Sequence, residues 1–254
     1  MIETKTAHIS LTGGRRRNED ACGYWGSPQG GCWVVSDGAG GHGSGDVASR
    51  MVVSTVLERF AATPRVDAEF AVALLEAAHQ TVMAAKQAKG ADDMHATCVL
   101  LLIDPEGERA VWAHAGDSRL YLFRDGKPVY QTRDHSLVQS MIDAGYGSTD
   151  MIRSHPQRSL LTSAIGNAGE LELSVSGEPL RLCPGDVFLL CSDGWWEYVE
   201  EAQMQALLAD SDTMQGWLEC MAAQIEAHAG KDNDNYTAIG VCVNADDSPD
   251  TVIL

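Results

Sequence analysis

The sequence predicts an α+β fold in which antiparallel sheets carry helices on their outer faces. Short apolar segments of strand character are joined by tight-turn signals such as Pro105-Glu106-Gly107 and Asp125-Gly126-Lys127, and turns of this kind favour antiparallel hairpins. Two helical patterns follow one another with no strand between them, and another helical block lies near the C-terminus, so the regular strand–helix alternation of a parallel sheet is missing. No linker, low-complexity stretch or tandem repeat divides the chain, which reads as one domain over 1–254.

In chain order, strands are expected at about 6–12, 20–25 and 31–37. Helical spacing then places Val47, Met51, Val52, Val56 and Phe60 on one face, and Phe70, Leu74, Ala77, Ala78 and Thr81 on another. Strands follow at 95–103, 108–115 and 118–123, then at 171–178, 186–192 and 236–243, with a helix bearing Met214, Trp217, Leu218, Met221 and Ile225 before the last. These stripes are core packing. Residues 145–165 lack clear periodicity, and long irregular segments in compact domains are often functional. The acidic tail after Asn244 is expected to fray.

A chain of 254 residues with 44% hydrophobic and 21% charged content has the make-up of a soluble globular protein. Its 18 basic residues against 36 acidic ones give a formal charge of −18, which argues against a nucleic-acid partner and serves solubility. The seven cysteines form no CxxC pair and are odd in number, which suits a reduced cytoplasm. Met1-Ile2-Glu3-Thr4-Lys5 has no apolar signal core, and no stretch nears the ~18 apolar residues of a membrane span. A cytoplasmic monomer that is neither exported nor membrane-anchored is expected.

Three apolar runs end in aspartate beside glycine: Trp33-Val34-Val35-Ser36-Asp37-Gly38, Ala113-His114-Ala115-Gly116-Asp117 and Phe188-Leu189-Leu190-Cys191-Ser192-Asp193-Gly194. A fourth acidic cluster, Asp232-Asn233-Asp234-Asn235, precedes one more apolar stretch. Carboxylates brought together repel, by roughly 1 kcal/mol per pair in water and about 4 kcal/mol at an effective dielectric of ~20. Hard cations remove that repulsion, and an oxygen-only ligand set suits Mg²⁺ or Mn²⁺ better than zinc.

Other readings compete for single features. Gly38-Ala39-Gly40-Gly41-His42-Gly43 matches GxGxxG after a strand and before a helix, the dinucleotide-binding pattern. Asp37 would then face the cofactor's pyrophosphate, and the acidic strand end expected about 20 positions on is missing, because Glu58 lies in a helical pattern. In isolation, Arg15-Arg16-Arg17-Asn18-Glu19-Asp20 reads as a solvated turn, Asp232 to Asn235 as an Asx-rich turn and His42 as a loop histidine. Arginine is, however, the side chain whose planar fork best grips phosphate, and beside metal carboxylates it completes a phosphate site. No cysteine has an arginine six positions on, so a phosphocysteine route has no candidates.

Taken together, Arg15-x-x-Asn18-Glu19-Asp20, Asp37-Gly38-x-Gly40-Gly41-His42-x-x-Gly45, Ala115-Gly116-Asp117-Ser118-Arg119, Asp134-His135-Ser136-Leu137, Ser192-Asp193-Gly194 and Asp234-Asn235-x-Thr237 resemble the metal-dependent type 2C serine/threonine protein phosphatases, in that family's order and over nearly the whole chain. The resemblance implies a four-layer α-β-β-α sandwich with Mg²⁺ or Mn²⁺ in a cleft at the strand ends, two ions per chain and a third, weaker one in bacterial-type members. It implies that Asp37 bridges two metals, that Gly38 offers a backbone carbonyl, that Asp193 and Asp234 bind the second metal, that Glu19 and Asp20 bind directly or through water, and that Asp117 binds the third. Arg15 becomes the phosphate clamp and His42 the general acid. One departure is Ser192-Asp193-Gly194-Trp195-Trp196-Glu197, where the acid after the tryptophans is longer than the family's aspartate. Trp195 and Trp196 themselves read as packing.

The implied reaction is hydrolysis of phosphoserine and phosphothreonine by a metal-bridging hydroxide attacking in line, with no covalent intermediate. The partners are phosphorylated proteins, the products of a cognate serine/threonine kinase. Residues 145–165 are expected to be a mobile flap whose Arg153 and Arg158 attract phosphorylated chains. The alternative is a catalytically silent module that binds phosphoproteins.

Overall fold

Alternate residues of the central strands belong to two different apolar layers, and this sets the architecture. The computed structural model describes residues 2–40, 44–89 and 93–245. Its five-stranded antiparallel sheet has the order β1 (Ile2–Leu11), β12 (Tyr236–Ala245), β11 (Val187–Cys191), β7 (Arg119–Arg124), β8 (Lys127–Gln131). The seven-stranded sheet has the order β10 (Leu180–Arg181), β6 (Arg109–Ala115), β5 (Cys98–Asp104), β3 (Gly30–Ala39), β2 (Asp20–Ser27), with β4 (His95–Ala96) on β3 and β9 (Ser174–Val175) on β6.

Trp33, Val35, Val99, Leu101, Leu120, Leu190 and Ile239 are buried together in a cluster drawn from both sheets. Their neighbours Cys32, Val34, Leu100 and Leu102 instead share a cluster with Val52, Val56 and Phe60 of α1 (Gly45–Ala62) and Leu74 and Ala78 of α2 (Ala68–Lys89). Across the molecule, Tyr121, Phe123 and Leu189 cluster with Met204 of α6 (Glu201–Ala209) and with Trp217, Met221 and Ile225 of α7 (Met214–His228). The result is the expected helix–sheet–sheet–helix stack. Strands buried on both faces read as continuous apolar runs, which is why 98–103 and 187–191 stand out in the sequence.

β1 begins at Ile2 rather than at residue 6 and pairs along its whole length with β12, Ile2 opposite Ala245 and Leu11 opposite Tyr236. The run 171–178 contributes only the two residues of β9. β8, with Pro128 on a sheet edge, and the two-residue β10 were not anticipated, nor were the short helices α3 (Leu137–Asp143), α4 (Met151–Ser154), α5 (Asp193–Trp196) and α6. One or two helical turns repeat too few times to show a period. All seven cysteines are unpaired. Among the described residues no helix is long and apolar enough to cross a membrane.

Candidate active site

The acidic strand ends gather at one end of the sandwich. In the β2–β3 hairpin Asp20 lies directly opposite Asp37. Asp193 opens α5 just after β11, Asp234 immediately precedes Asn235 and β12, and Asp117 lies in the turn from β6 to β7, where the chain crosses from one sheet to the other. A cleft of about 690 Å³ is lined by Arg15, Glu19, Asp37, Gly38, Asp117, Asp193 and Asp234. Asp20 lies beneath it, 8% exposed. His42 falls outside the described residues.

Short polar side chains fix these carboxylates. Ser192 Oγ donates to Asp20 Oδ2 at 2.8 Å, a bond between the two sheets, and accepts from the Thr237 N–H at 3.0 Å. The Asp37 N–H donates to Thr97 Oγ1 at 2.9 Å, and Thr97 Oγ1 is 2.6 Å from Ser118 Oγ, next to Asp117. Asn235 ties the far wall together: its Oδ1 accepts from the Glu19 N–H at 2.8 Å, and its Nδ2 donates to the carbonyls of Thr12 and Arg17 at 2.7 and 2.9 Å. Gly38 meets Gly45 of α1 so closely that a Cβ at residue 38 would collide with the Gly45 carbonyl. At the mouth, Arg15 Nη2 donates to Asp234 Oδ2 at 2.7 Å, while Asp234 Oδ1 accepts from the Asn235 N–H at 2.8 Å.

The electrostatics are those of crowded, desolvated acids. Burial pushes Asp20 up to about 6 and Asp117 up to about 7, with Asp234 adding to the first and Asp134 to the second. Asp37 and Asp193 rise well above the usual carboxylate range, from burial first and then from the surrounding aspartates. Glu19 is also raised, by burial, Asp46 and Asp234. Asp20 Oδ1 and Asp193 Oδ1 are buried without a hydrogen-bond partner, an arrangement that costs on the order of 1–3 kcal/mol per group and more for a charged one. An all-oxygen set with mutual repulsion and unpartnered buried oxygens fits a hard divalent cation. Among the described residues, no three acidic, histidine or cysteine side chains are already drawn into one coordination sphere; the carboxylates form an open cup.

The 145–165 segment borders this cup through Ser159 and Leu161. Its two arginines are engaged by the protein's own acids. Arg153 donates to Glu201 Oε1 and to the Trp196 carbonyl, both at 2.9 Å, and Arg158 grips Glu197 with bonds of 2.5 and 3.0 Å. The four-residue α4 lies inside the stretch read as irregular.

Sequence reasoning passed over several residues. Trp196 is buried as expected of packing, yet its indole N–H reaches the Asp117 carbonyl. Arg119 is 1% exposed and pairs through two 2.8 Å bonds with Asp134, so two of the quoted motifs meet in one buried ion pair. Asp46 in the first turn of α1 holds Arg50 at 2.7 Å and leaves Oδ1 buried and unpartnered. Its only sequence signal is an acid one residue after Gly45.

The sandwich and the acidic cleft at its end are those of a phosphatase domain, and the protein phosphatase 2C family model matches residues 12–231. The chain belongs to the protein phosphatase 2C family, as a serine/threonine protein phosphatase of bacterial type. The serine/threonine phosphatase stp of Listeria innocua is 29% identical over 206 residues, 79% of this chain and 80% of that protein. Among solved structures, PppA, described as a key regulatory component of T6SS in Pseudomonas aeruginosa, is 31% identical with a TM-score of 0.76, covering 94% of this chain and 97% of that one. The catalytic domain of PstP in complex with two manganese ions is 25% identical with a TM-score of 0.79, covering 96% of this chain and 100% of that one.

Proposed function

We propose that the cup hydrolyses phosphoserine and phosphothreonine in proteins with Mg²⁺ or Mn²⁺ as cofactor, two ions per chain and a third at Asp117. The observation that carries this is the pair of buried, unpartnered carboxylate oxygens on Asp20 and Asp193 beside a cleft that already holds Glu19, Asp37, Asp117 and Asp234. Asp37, Asp193, Asp234 and the Gly38 carbonyl would hold the two ions, with Glu19 and Asp20 binding directly or through water. Bound there, the ions supply an activated water and positive charge against a transferring phosphoryl group. The manganese in PstP supports this cofactor class.

Arg15 stands at the mouth with a planar fork that can orient a phosphate while it keeps Asp234 in place. The hydrogen bonds of Thr97 and Asn235 hold Asp37 and Glu19 rigidly, so little reorganisation is needed as charge develops. His42 is the residue assigned to protonate the serine or threonine oxygen as it leaves, the work of a positioned imidazole. Phosphoproteins made by a serine/threonine kinase are the substrates. Residues 145–165 tune which of them are accepted. The test is turnover of a small aryl phosphate and a phosphothreonine peptide by purified protein with Mn²⁺, Mg²⁺ or chelator. Activity with either ion and none after chelation is expected, and full activity after exhaustive chelation overturns the reading.

A further inference from the structure

Arginine in this acid-rich chain is usually paired. Arg50, Arg65, Arg109, Arg124 and Arg133 each hold a carboxylate. Arg16 and Arg17 do not: both are exposed, and among the described residues neither guanidinium has an ion-pair partner, although both line the catalytic cleft beside Arg15. They occupy the two unspecified positions of Arg15-x-x-Asn18, so nothing in the catalytic motif requires them.

Their backbone is anchored. The Gly14 N–H donates to the Asn233 carbonyl at 3.0 Å, the Arg15 N–H to the Thr12 carbonyl at 3.3 Å, and the Arg17 carbonyl accepts from Asn235 Nδ2 at 2.9 Å. The same Asn235 holds the Glu19 N–H, so the turn that presents the arginines is registered to the metal carboxylates. Two cations without a salt-bridge partner among the described residues, of which Arg17 also acts on Glu19 through space, stand on a fixed turn at the rim of an acidic cleft and form a place where an anion arriving with the substrate is favoured.

We propose that Arg16 and Arg17 form an anion subsite that selects phosphoproteins carrying an acidic residue or a second phosphate close to the phosphoserine or phosphothreonine. This rests on the proposed phosphatase site. Consecutive Cα atoms lie ~3.8 Å apart, and an extended peptide advances ~3.3–3.6 Å per residue, so the second anion belongs about one to three residues from the first. Arginine's fork suits both carboxylate and phosphate, and the two sources differ in charge and in affinity for it.

The experiment uses one phosphothreonine peptide with glutamate flanks, one with a second phosphate and one with glutamine flanks, each as substrate for turnover and as a non-hydrolysable phosphonate for fluorescence anisotropy. The wild-type protein should favour the anion-flanked peptides about five-fold or more in both readouts, the size expected of two exposed charge pairs. In the Arg16→Ala/Arg17→Ala double variant the ratio should fall to about one, in Arg16→Lys/Arg17→Lys it should be largely kept, and in Arg16→Glu/Arg17→Glu it should invert. Melting curves confirm that each variant is folded. No flank preference in the wild type overturns the subsite, as does a uniform loss across all three peptides, which would mean general attraction of anions. Preference for the second phosphate alone narrows the ligand to phosphate, and equal preference includes carboxylate. Because anisotropy does not need turnover, failure to cleave an aryl phosphate would count against the proposed activity without deciding the subsite.

Discussion

The indole N–H of Trp196 donates to the carbonyl of Asp117 at 2.9 Å, deep in the protein. The Arg119 guanidinium lies 3.6 Å from the centre of the same ring, and the Trp196 carbonyl accepts from Arg153. One residue of the helix that begins with Asp193 therefore joins the turn that carries Asp117, through its indole, to the segment beside the cleft, through its backbone carbonyl. Trp196→Phe keeps most of the buried ring but leaves the Asp117 carbonyl unpaired, a loss of about 1–3 kcal/mol. The variant should denature at lower urea and need more Mn²⁺ for half-maximal turnover. Unchanged urea and Mn²⁺ midpoints would show the indole to be packing alone.

Asp37→Asn should lower turnover by more than about 10²-fold, the scale on which loss of a charge-stabilising group acts. Calorimetry should show weaker Mn²⁺ binding. The metal-free variant should also melt above the metal-free wild type, because a charge crowded by Asp20, Asp193 and Asp117 has been removed. Wild-type metal affinity would exclude a bridging role.

Arg15→Ala should raise KM for phosphate esters about ten-fold with a smaller change in kcat. Its pair with Asp234 is exposed, 56% and 41% for the two side chains, so stability should change by only ~0–1 kcal/mol. His42→Ala should instead depress kcat most for poor leaving groups; equal slowing of an activated aryl ester and phosphothreonine would remove it as general acid.

Arg158→Ala and Glu197→Gln should act alike. Each breaks the same two-bond pair between the 145–165 segment and the end of α5. Both should reduce kcat/KM for phosphopeptides more than for a small aryl phosphate. If only the arginine variant does so, Arg158 touches substrate directly.

His114 is a buried imidazole sensitive to acid. It stacks on His135 with ring centres 4.7 Å apart, donates from Nε2 to the Arg133 carbonyl, and leaves Nδ1 buried without a partner. Burial, with His135 adding to it, lowers its pKa to about 4, against an ordinary value of 6.5. Between those values the unfolded chain takes up a proton that the folded one refuses, so stability is lost as pH falls from about 6.5 to about 4, at ~1.4 kcal/mol per unit. His114→Gln should lose less over that window than wild type. The difference between the wild-type and variant urea midpoints, compared at pH 7.5 and pH 5, cancels the groups the two proteins share, among them the cleft acids with raised pKa, which act in the opposite sense, and a constant difference would discount it.

The strands that carry the site were legible because burial on both faces makes them continuous apolar runs that end in aspartate. Edge elements were not: β8 is polar and contains Pro128, and α4 and α5 are single turns. Of the expected site, Arg15, Glu19, Asp37, Gly38, Asp117, Asp193 and Asp234 line one cleft. What a linear reading lacked were partners distant along the chain, such as Asn235 on Glu19, Ser192 on Asp20, and Glu201 and Glu197 on the two flap arginines. A hydrogen bond across that separation leaves no local pattern in composition or spacing.

β12 lies in the interior of the five-stranded sheet, between β1 and β11, although it is the last strand in chain order. A chain emerging from the ribosome can form the hairpins β2–β3 and β5–β6 early, but β1 must wait for a partner more than two hundred residues downstream. Until β12 is inserted, Asp234 and Asn235 are absent from the cleft wall, and the turn bearing Arg15, Arg16 and Arg17 lacks its bonds to Asn233 and Asn235. Assembly of the cleft thus waits for β12, and a growing chain is not expected to strip phosphate from its neighbours before its own synthesis has passed that strand.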